Sequence, residues 1–478
     1  MNVNIFSVDR LLPKSGALGE TPTTAQAYKD VGVIAGPAVA EMVLMSVVGA
    51  VDTMMVGVLG KEAVAAVGLV DQPRMLLMSV FLALNIGVTA IVARRKGEGR
   101  QEDANKTLRN AVVFALGLSL VMMIVGLSVS RQLMQMIGAQ PDTIDNANMY
   151  FRIMIYAIPV NALTLCICAA QRGVGNTKIT MYVNITSNVV NLALDAVLIE
   201  GKLGFPRLEV AGDAYSTVIG FVVGLIMCLI TVWRRKGSYS DAFLSFSLRD
   251  DWRMDRKTMG SILKIGSNAM IEQIALRLGF FIYAGIVARL GTLAFAAHQI
   301  CMKFLSISFT VGDGIGIAGT SLVGQMLGKK RPDLAQMYGK AAQRIALVSA
   351  IVIASCIALF RLPLVTLFIR DDAGVISLAS KVMLCVALFQ PLQTTAVVMS
   401  GALRGAGDNR FVAGVMLCCV TIIRPVCALI AINVIQNTLG RPDIALIGCW
   451  LASLFDMSIR MTLVYRRFNG GKWHDIKV

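Results

Sequence analysis

The groups most able to do chemistry in this sequence are two aspartates inside apolar segments. Asp52 interrupts the run AVDTMMVGVLG, and Asp195 ends the run NVVNLALD. An ionisable side chain at bilayer depth costs about 2.5–3.5 kcal/mol even on the mildest insertion scale, so it indicates a functional site by default. A carboxylate that faces a water-filled cavity there could take up and release a proton. The alternative for Asp52 is a helix-end residue near the outer interface.

The segment that ends in Asp195 carries a polar stripe. Asn184, Asn188, Asn191 and Asp195 are spaced 4, 3 and 4 residues apart, and residues at these intervals share one face of a helix. These groups could coordinate a cation or hydrogen-bond a neighbouring helix; the charge at the end of the stripe favours a cation site. Thr217 in GDAYSTVIG opens the next apolar segment and could add a hydroxyl, although a packing threonine explains it equally well.

The composition places these groups in a membrane protein. The chain has 478 residues, of which 56% are hydrophobic and 15% are charged, whereas a soluble domain carries about 25% charged residues. The net charge of +16 comes from lysines and arginines in short loops between apolar runs rather than from one basic stripe. This positive-inside pattern is typical of a membrane protein, and we expect no nucleic-acid partner.

Twelve segments are long and apolar enough to span a bilayer. Pro37, Pro159, Pro391 and Pro425 lie within them and are candidate kinks. Loops after even-numbered segments carry 22 lysines and arginines, against 9 after odd-numbered ones, which predicts that both termini are cytoplasmic. The predicted spans are 33–57, 75–93, 111–130, 150–170, 179–199, 212–233, 262–288, 294–324, 340–360, 374–400, 411–435 and 443–465.

A polar loop at about 234–260 divides the spans into two sets of six, and an internal repeat at an offset of about 231 relates the sets. VLGKEAVAAVG at 58–68 matches RLGTLAFAAHQ at 289–299, and QRGVGNTK at 171–178 matches LRGAGDNR at 403–410. Six spans return the chain to the same side, so the halves run parallel. We predict two six-helix lobes that rock around a central cleft. The predicted boundaries are 1–31 (cytoplasmic segment), 32–233 (first lobe), 234–260 (loop), 261–466 (second lobe) and 467–478 (cytoplasmic tail).

The repeat separates the acidic groups into two kinds. It places Val426 opposite Asp195, so the coupling chemistry is predicted for the first lobe alone. It also places Glu272 opposite Glu41, and two glutamates at equivalent depth indicate a shared role. That role is either contact with a substrate or proton, for which Asn188 is a further candidate, or an ion pair, for example of Glu272 with Arg277 or Arg424.

Other polar groups are interpreted as structural. Asp456 and Arg460 lie four residues apart on one helix and are predicted to pair with each other. His298 is a packing residue more often than a proton relay. The ten cysteines show no zinc-binding spacing, and no metal other than Na+ at Asp52, Asn191 and Asp195 is predicted. No phosphate-binding or nucleophile motif appears in a workable context, so we predict no cofactor and no enzymatic activity.

In these motifs the chain resembles the multidrug and toxic compound extrusion (MATE) family of cation-coupled antiporters. The motifs are VDTMMVGVLG, GVGNTK, NLALD, LGTLAFAAHQ and ALRGAGD, in this order along about residues 30–467. The resemblance implies a V-shaped pair of six-helix lobes. It also implies a cation site at Asp52, Asn191, Asp195 and Thr217, and an acidic position at Glu272. Some members pair that glutamate with an aspartate in the tenth span, where this chain has Gln393, so it is closer to the DNA-damage-inducible (DinF-like) branch.

Together these features predict a monomeric transporter of the plasma (inner) membrane that exports small amphipathic, often cationic, organic compounds in exchange for H⁺ or Na⁺. Two alternatives stay open. One is a flippase for lipid-linked oligosaccharide precursors, which usually has a more cationic cavity than the few intramembrane arginines here provide. The other is a membrane-embedded enzyme, which needs a concentrated cluster of catalytic groups at one membrane face.

Overall fold

The computed structural model of the protein describes residues 6–12, 16–137, 143–201, 204–233, 243–247, 249–369, 372–438, 444–474 and 476, without the side chains of residues 61, 64, 65 and 72. The regular structure of these residues is helical, apart from an isolated bridge between Trp233 and Phe246. The all-α prediction is therefore confirmed for the described part of the chain.

Most of the helices follow one another with short connections, and the longest connection joins α9 to α10. In the first half they are α1 Val8–Leu11, α2 Thr24–Gly57, α3 Lys61–Gly97, α4 Gln101–Ser128, α5 Ser130–Met136, α6 Ile144–Tyr156, α7 Ile158–Gly173, α8 Thr177–Leu198 and α9 Glu209–Val232. In the second half they are α10 Arg256–Ala288, α11 Thr292–Gly328, α12 Pro332–Leu359, α13 Arg361–Thr366, α14 Ala373–Ala406, α15 Asn409–Met416, α16 Arg424–Asn433 and α17 Ala445–Asn469. π-Helical segments at Leu417–Ile423 and Val434–Thr438 flank α16.

The described helices account for the predicted spans. Ten helical segments are long and apolar enough to cross a bilayer, and α6 with α7 forms an eleventh span that bends by 48° just before Pro159. That bend confirms one of the predicted proline kinks. The remaining predicted span is α8, whose three asparagines make it less apolar than the others. A helix that carries this much polarity needs protein partners on its polar face.

The backbone repeats where the sequence repeats. Gly60 before α3 has φ 108° and Gly291 before α11 has φ 101°. Gly175, between α7 and α8, and Gly407, between α14 and α15, have φ 80° and 89°. Such values are inexpensive only for glycine, so both halves make the same two turns with the same residue.

The chain forms two compact units, Ala40–Ser267 and Met1–Val39 together with Asn268–Val478. We refer to them as the N unit and the C unit. The divisions, after Val39 and Ser267, fall inside helices α2 and α10, a few residues beyond the predicted boundaries at 32 and 261, which lie in the same two helices. Residues 32–39 therefore belong to the C unit and residues 261–267 to the N unit. Loop composition shows where the chain turns, but it does not show which helices a continuous helix packs against.

The N-terminal segment packs in the C unit, as the first part of α2 does. Val8, Leu11 and Leu12 are buried in a hydrophobic core of that unit. Lys340 Nζ of α12 donates a hydrogen bond to the carbonyl oxygen of Leu11 at 3.2 Å. These contacts fix the chain before α2 begins.

The segment before α10 packs on α4 in the N unit in a similar way. The backbone N–H of Ser245 donates to Asn105 Oδ1 at 2.9 Å, and that of Asp255 donates to Asn110 Oδ1 at 2.9 Å. Of the predicted loop 234–260, residues 234–242 and 248 lie outside the described residues. Residues 1–5, 13–15, 475, 477 and 478 of the predicted terminal segments also lie outside them.

Candidate cation-binding site

Helices α8 and α9 approach closely at a glycine of the N unit. A Cβ added to Gly220 would lie 2.8 Å from the carbonyl oxygen of Ser187. The Ser187 hydroxyl donates a hydrogen bond to the carbonyl oxygen of Gly220 at 2.6 Å. Small residues at such a contact allow two membrane helices to pack backbone to backbone. The polar face of α8 thereby comes within hydrogen-bond reach of the first turns of α9.

Asn191 and Asp195 use this proximity to contact α9. Asn191 Nδ2 donates to Thr217 Oγ1 at 3.1 Å and lies 3.4 Å from Ser216 Oγ. The Ser216 hydroxyl donates to Asp195 Oδ1. The structure therefore brings together the predicted Asn191, Asp195 and Thr217, and it adds Ser216. Because Asn191 donates through its nitrogen, its carbonyl oxygen stays available to a cation.

Asp52, close to the C-terminal end of α2, joins this group. Carboxylate oxygens of Asp52, Asp195 and Asp213 all lie within 4.8 Å of one another. Asp52 is half-buried, whereas Asp195 and Asp213 are fully buried. Asp52 is thus near a helix end, as the alternative interpretation proposed, and is also part of an acidic cluster. Among the described residues this is the cluster whose donor atoms could hold a metal ion.

Asp213 is the member of the cluster that the sequence analysis missed. It lies in the quoted segment GDAYSTVIG, four residues before Thr217. Residues four apart on a helix share a face. The predicted role of Thr217 in the cation site is therefore the signal that points to Asp213 on the same face. The predicted site includes the hydroxyl of Thr217 but not the acid one turn earlier.

A cavity of about 450 Å³ opens beside the cluster, within the N unit. Asp52, Asn191 and Thr217 line its polar side, and Met45 and Met78 are among its apolar lining. The size lies within the range of small-molecule sites, roughly 300–1,000 Å³. Carboxylate, amide and hydroxyl oxygens suit hard cations, and the carboxylates can also take protons. The residues present therefore fit either of the predicted coupling ions.

Glu41 lies in the N unit but outside the acidic cluster. It is 0% exposed, and it accepts hydrogen bonds from Arg172 Nη2 at 2.6 Å, Thr180 Oγ1 at 2.8 Å and Asn184 Nδ2 at 2.9 Å. The Asn188 amide donates to the carbonyl oxygen of Asn184 at 2.7 Å. The N-terminal half of the polar stripe on α8 thus contacts the buried Glu41, and the C-terminal half contributes Asn191 and Asp195 to the cation site.

Glu272 has the same kind of partner in the C unit. Arg404 Nη2 donates to Glu272 Oε1 at 2.6 Å, and the glutamate is 0% exposed. The geometry matches the predicted ion-pair alternative, but the partner is Arg404 rather than Arg277 or Arg424. Asp313 of α11, which the sequence analysis did not single out, interacts electrostatically with both members of this pair.

The predicted pair of Asp456 with Arg460 is wrong. Asp456 Oδ2 accepts a hydrogen bond from Arg424 Nε at 3.0 Å and lies 2.9 Å from Arg424 Nη2. The Arg460 guanidinium instead contacts the sulfurs of Met457 and Met416, with Nη1 3.2 Å from Met416 Sδ. Spacing on one helix does not exclude a partner from a neighbouring helix, and a buried carboxylate takes the guanidinium that best fits its geometry.

An all-helical chain whose two halves repeat the same order of spans, with a polar site buried inside one half, has the architecture of a secondary transporter. The MatE family model matches residues 37–197 and 269–430. The chain therefore belongs to the MatE family of membrane transporters, which confirms the family that the sequence motifs indicated. The DinF-like branch stays a prediction.

Relatives of the chain are named for drug resistance. The probable multidrug resistance protein NorM of Thermotoga maritima is 26% identical over 451 residues, which cover 93% of each protein. The multidrug resistance protein PmpM of Pseudomonas aeruginosa is 29% identical over 385 residues, which cover 80% of this chain and 79% of PmpM.

Solved structures agree with the fold. The outward-facing conformation of a multidrug resistance MATE family transporter of the MOP superfamily superposes with a TM-score of 0.84. The match covers 93% of this chain and 97% of that one, at 20% sequence identity. This likeness confirms the predicted MATE-type fold.

Proposed function

We propose that this protein is an antiporter that exports small amphipathic, often cationic, organic compounds in exchange for H⁺ or Na⁺. The observation that carries the proposal is the convergence of Asp52, Asn191, Asp195 and Thr217 from three helices of the N unit. Oxygen ligands from separate elements, buried at membrane depth, are costly to maintain unless a cation uses them.

The geometry supplies a simple means of coupling. Asp52 lines the cavity, whereas Asp195 is fully buried in the cluster. A cation bound between the two carboxylates neutralises Asp52 and so removes the negative charge that an organic cation in the cavity would pair with. The two ligands therefore compete, and the C-terminal end of α2 is the element that moves as one replaces the other.

The cavity is suited to varied substrates. Met45 and Met78 are flexible and polarisable, and methionine re-packs around ligands of different shape. The NorM and PmpM relatives are named as multidrug resistance proteins, which supports drugs as substrates of this chain. The charge of the loops supports a plasma (inner) membrane orientation with both termini in the cytoplasm, and we propose that the transporter is a monomer.

The test is transport by the purified protein in proteoliposomes, with ethidium or norfloxacin as substrate. A pH gradient and a Na⁺ gradient are imposed one at a time, which identifies the coupling ion. Asp52→Asn and Asp195→Asn should each reduce gradient-driven efflux to the level of protein-free liposomes. A neutral amide carries no negative charge for the coupling cation to balance.

Asp145→Asn is the matched control. Asp145 is exposed and pairs with Arg131 at 3.2 Å, far along the chain from the cluster. The Asp145→Asn variant makes the same chemical change as the two site variants and should transport as the wild type does. Wild-type efflux in both Asp52→Asn and Asp195→Asn would sink the assignment of the site.

A further inference from the structure

Asp213 is a buried carboxylate without a counter-charge among the described residues. Its exposure is 0%, and both of its carboxylate oxygens lack a hydrogen-bond partner among the described residues. Buried polar groups are normally hydrogen-bonded, and buried charges are paired. One of the two Asp213 oxygens faces the cluster, within 4.8 Å of carboxylate oxygens of Asp52 and Asp195.

The surroundings of Asp213 do not neutralise it. Tyr150 of α6 interacts electrostatically with Asp213, Asp52, Asp71 and Arg74. The Arg74 guanidinium is already 3.0 Å from the carboxylate of Asp71 on its own helix. None of the described lysine and arginine side chains forms an ion pair with a member of the acidic cluster. Three like charges this close cannot persist in an apolar environment unless cations bind among them.

The three carboxylates are not equivalent. Asp195 has the Ser216 hydroxyl as a hydrogen-bond donor, which stabilises its ionised form. Neither oxygen of Asp213 accepts a hydrogen bond of ordinary length among the described residues, and the nearby Tyr150 hydroxyl compensates its charge only in part. The buried Oδ1 of Asp52 has no donor among the described residues. The charge on Asp213 thus depends on a bound cation, whereas the charge on the half-buried Asp52 depends on a cation or on the solvent of the cavity.

We propose that Asp213 is a third cation-binding carboxylate of the coupling site, so that the filled site holds two positive charges. These are two protons, or one Na⁺ and one proton. The proposal rests on the proposed antiport and extends it: two positive charges move inward as one monovalent organic cation moves outward. Each cycle then carries one net positive charge inward, and the membrane potential drives transport.

The test uses the full-length protein in proteoliposomes, with ethidium as a monovalent probe and protein-free liposomes subtracted. A K⁺ diffusion potential is imposed with valinomycin while pH and Na⁺ are equal on both sides. Wild-type transport should respond to this potential. Asp213→Asn should lose the response to potential yet keep a response to an imposed pH or Na⁺ gradient. The exchange of one coupling cation for one monovalent ethidium moves no net charge.

The outcomes separate the two proposals. If Asp52→Asn and Asp195→Asn lose all driven transport while Asp213→Asn responds to potential as the wild type does, the role of Asp213 is overturned and the coupling site stands. If all three variants behave as the wild type does, the coupling site itself is wrong. A wild-type protein that ignores the potential also overturns the two-charge site, whatever the variants do.

Thermal unfolding in detergent distinguishes cation binding from a structural role. Asp213→Asn should unfold at the wild-type temperature or above it, because the change removes a buried carboxylate without a counter-charge. A lower unfolding temperature would indicate that the acid stabilises the fold and would contradict the proposal. Asp145→Asn again serves as the control.

Discussion

The N unit and the C unit contain the same buried pair but differ in what surrounds it. Glu41 pairs with Arg172 and Glu272 pairs with Arg404, each at 2.6 Å. The glutamates are related by the offset of the sequence repeat, and so are the arginines within one residue. A charge that is preserved with its counter-charge in both halves stabilises the scaffold, which is the simplest reading of this pair.

The described residues of the C unit form no equivalent of the acidic cluster. The position that matches Asp52 is Tyr283, which is buried with its ring centroid 5.5 Å from that of His298. The Arg424 guanidinium lies 5.9 Å from the Tyr283 ring and pairs with Asp456. Where the N unit leaves carboxylates for a cation, the C unit places aromatic rings and a closed ion pair. The N unit thus keeps uncompensated negative charge, whereas the matching position of the C unit carries no charge that a cation could balance.

The largest expected effect comes from breaking a shared pair. Arg404→Met leaves Glu272 buried without its counter-charge and should destabilise the protein by about 3–5 kcal/mol, the usual cost of an unpaired buried charge. Arg172→Met should cost less, because Glu41 keeps two other hydrogen-bond donors. The measurement is denaturant or thermal unfolding of the purified protein in detergent.

The double variant Glu272→Gln/Arg404→Met is the control for that prediction. It removes both charges and should recover most of the lost stability. If Arg404→Met alone costs less than about 1 kcal/mol, as for a solvent-exposed pair, then the pair is not structural and Glu272 is available for a substrate or proton.

A smaller effect is expected from separating the helices that build the cluster. Gly220→Ala adds a methyl group 2.8 Å from the carbonyl oxygen of Ser187, which should cost about 1–3 kcal/mol by overpacking. It should also reduce cation-coupled efflux with every acid of the cluster intact, because α9 moves away from α8. Unfolding and proteoliposome transport measure the two effects.

Gly117→Ala of α4 is the matched change. A Cβ there meets no atom within 4 Å, so the variant should be more stable by about 0.5–1 kcal/mol and transport normally. Wild-type transport by Gly220→Ala would mean that the site does not depend on the close approach of α8 and α9.

The smallest effect concerns the helix caps that begin α2 and α10. Asp255 accepts hydrogen bonds from the backbone N–H and the hydroxyl of Thr258, at 2.9 and 2.5 Å. These bonds lower the pKa of Asp255 below its ordinary value. Its contribution to stability is therefore present above the ordinary pKa of an aspartate and is lost as the pH falls through the lowered one. The matching cap of α2 is the hydroxyl of Thr23, which accepts from the N–H of Gln26 at 3.3 Å.

Asp255→Ala should slightly lower the unfolding temperature at neutral pH, and the difference from the wild type should shrink below about pH 4. Thr23→Ala should produce a difference that does not depend on pH, because a hydroxyl does not titrate there. Unfolding temperatures between pH 3 and pH 7 measure both. A pH-independent difference for Asp255→Ala would show that the charge of the cap is unimportant.

Much of this organisation was readable in the residues. The apolar lengths predicted the spans, and the repeat predicted two halves whose glycine turns match at Gly60 and Gly291. The stripe on α8 and the lone Asp52 predicted where the acids would meet. These features are local or periodic, so they follow from bilayer thickness and helix geometry without knowledge of packing.

Three features were decided by tertiary packing. Arg404 rather than Arg424 reaches Glu272, and Arg424 reaches Asp456. The units divide inside α2 and α10. Which segments cross the membrane and which helical face is polar can be read from the residues alone, because helix periodicity and the cost of burying charge act along the chain. The contact of α8 with α9 at Gly220 decided that Asp213 joins the cluster, because helix rotation and the identity of neighbours depend on side-chain packing between distant segments.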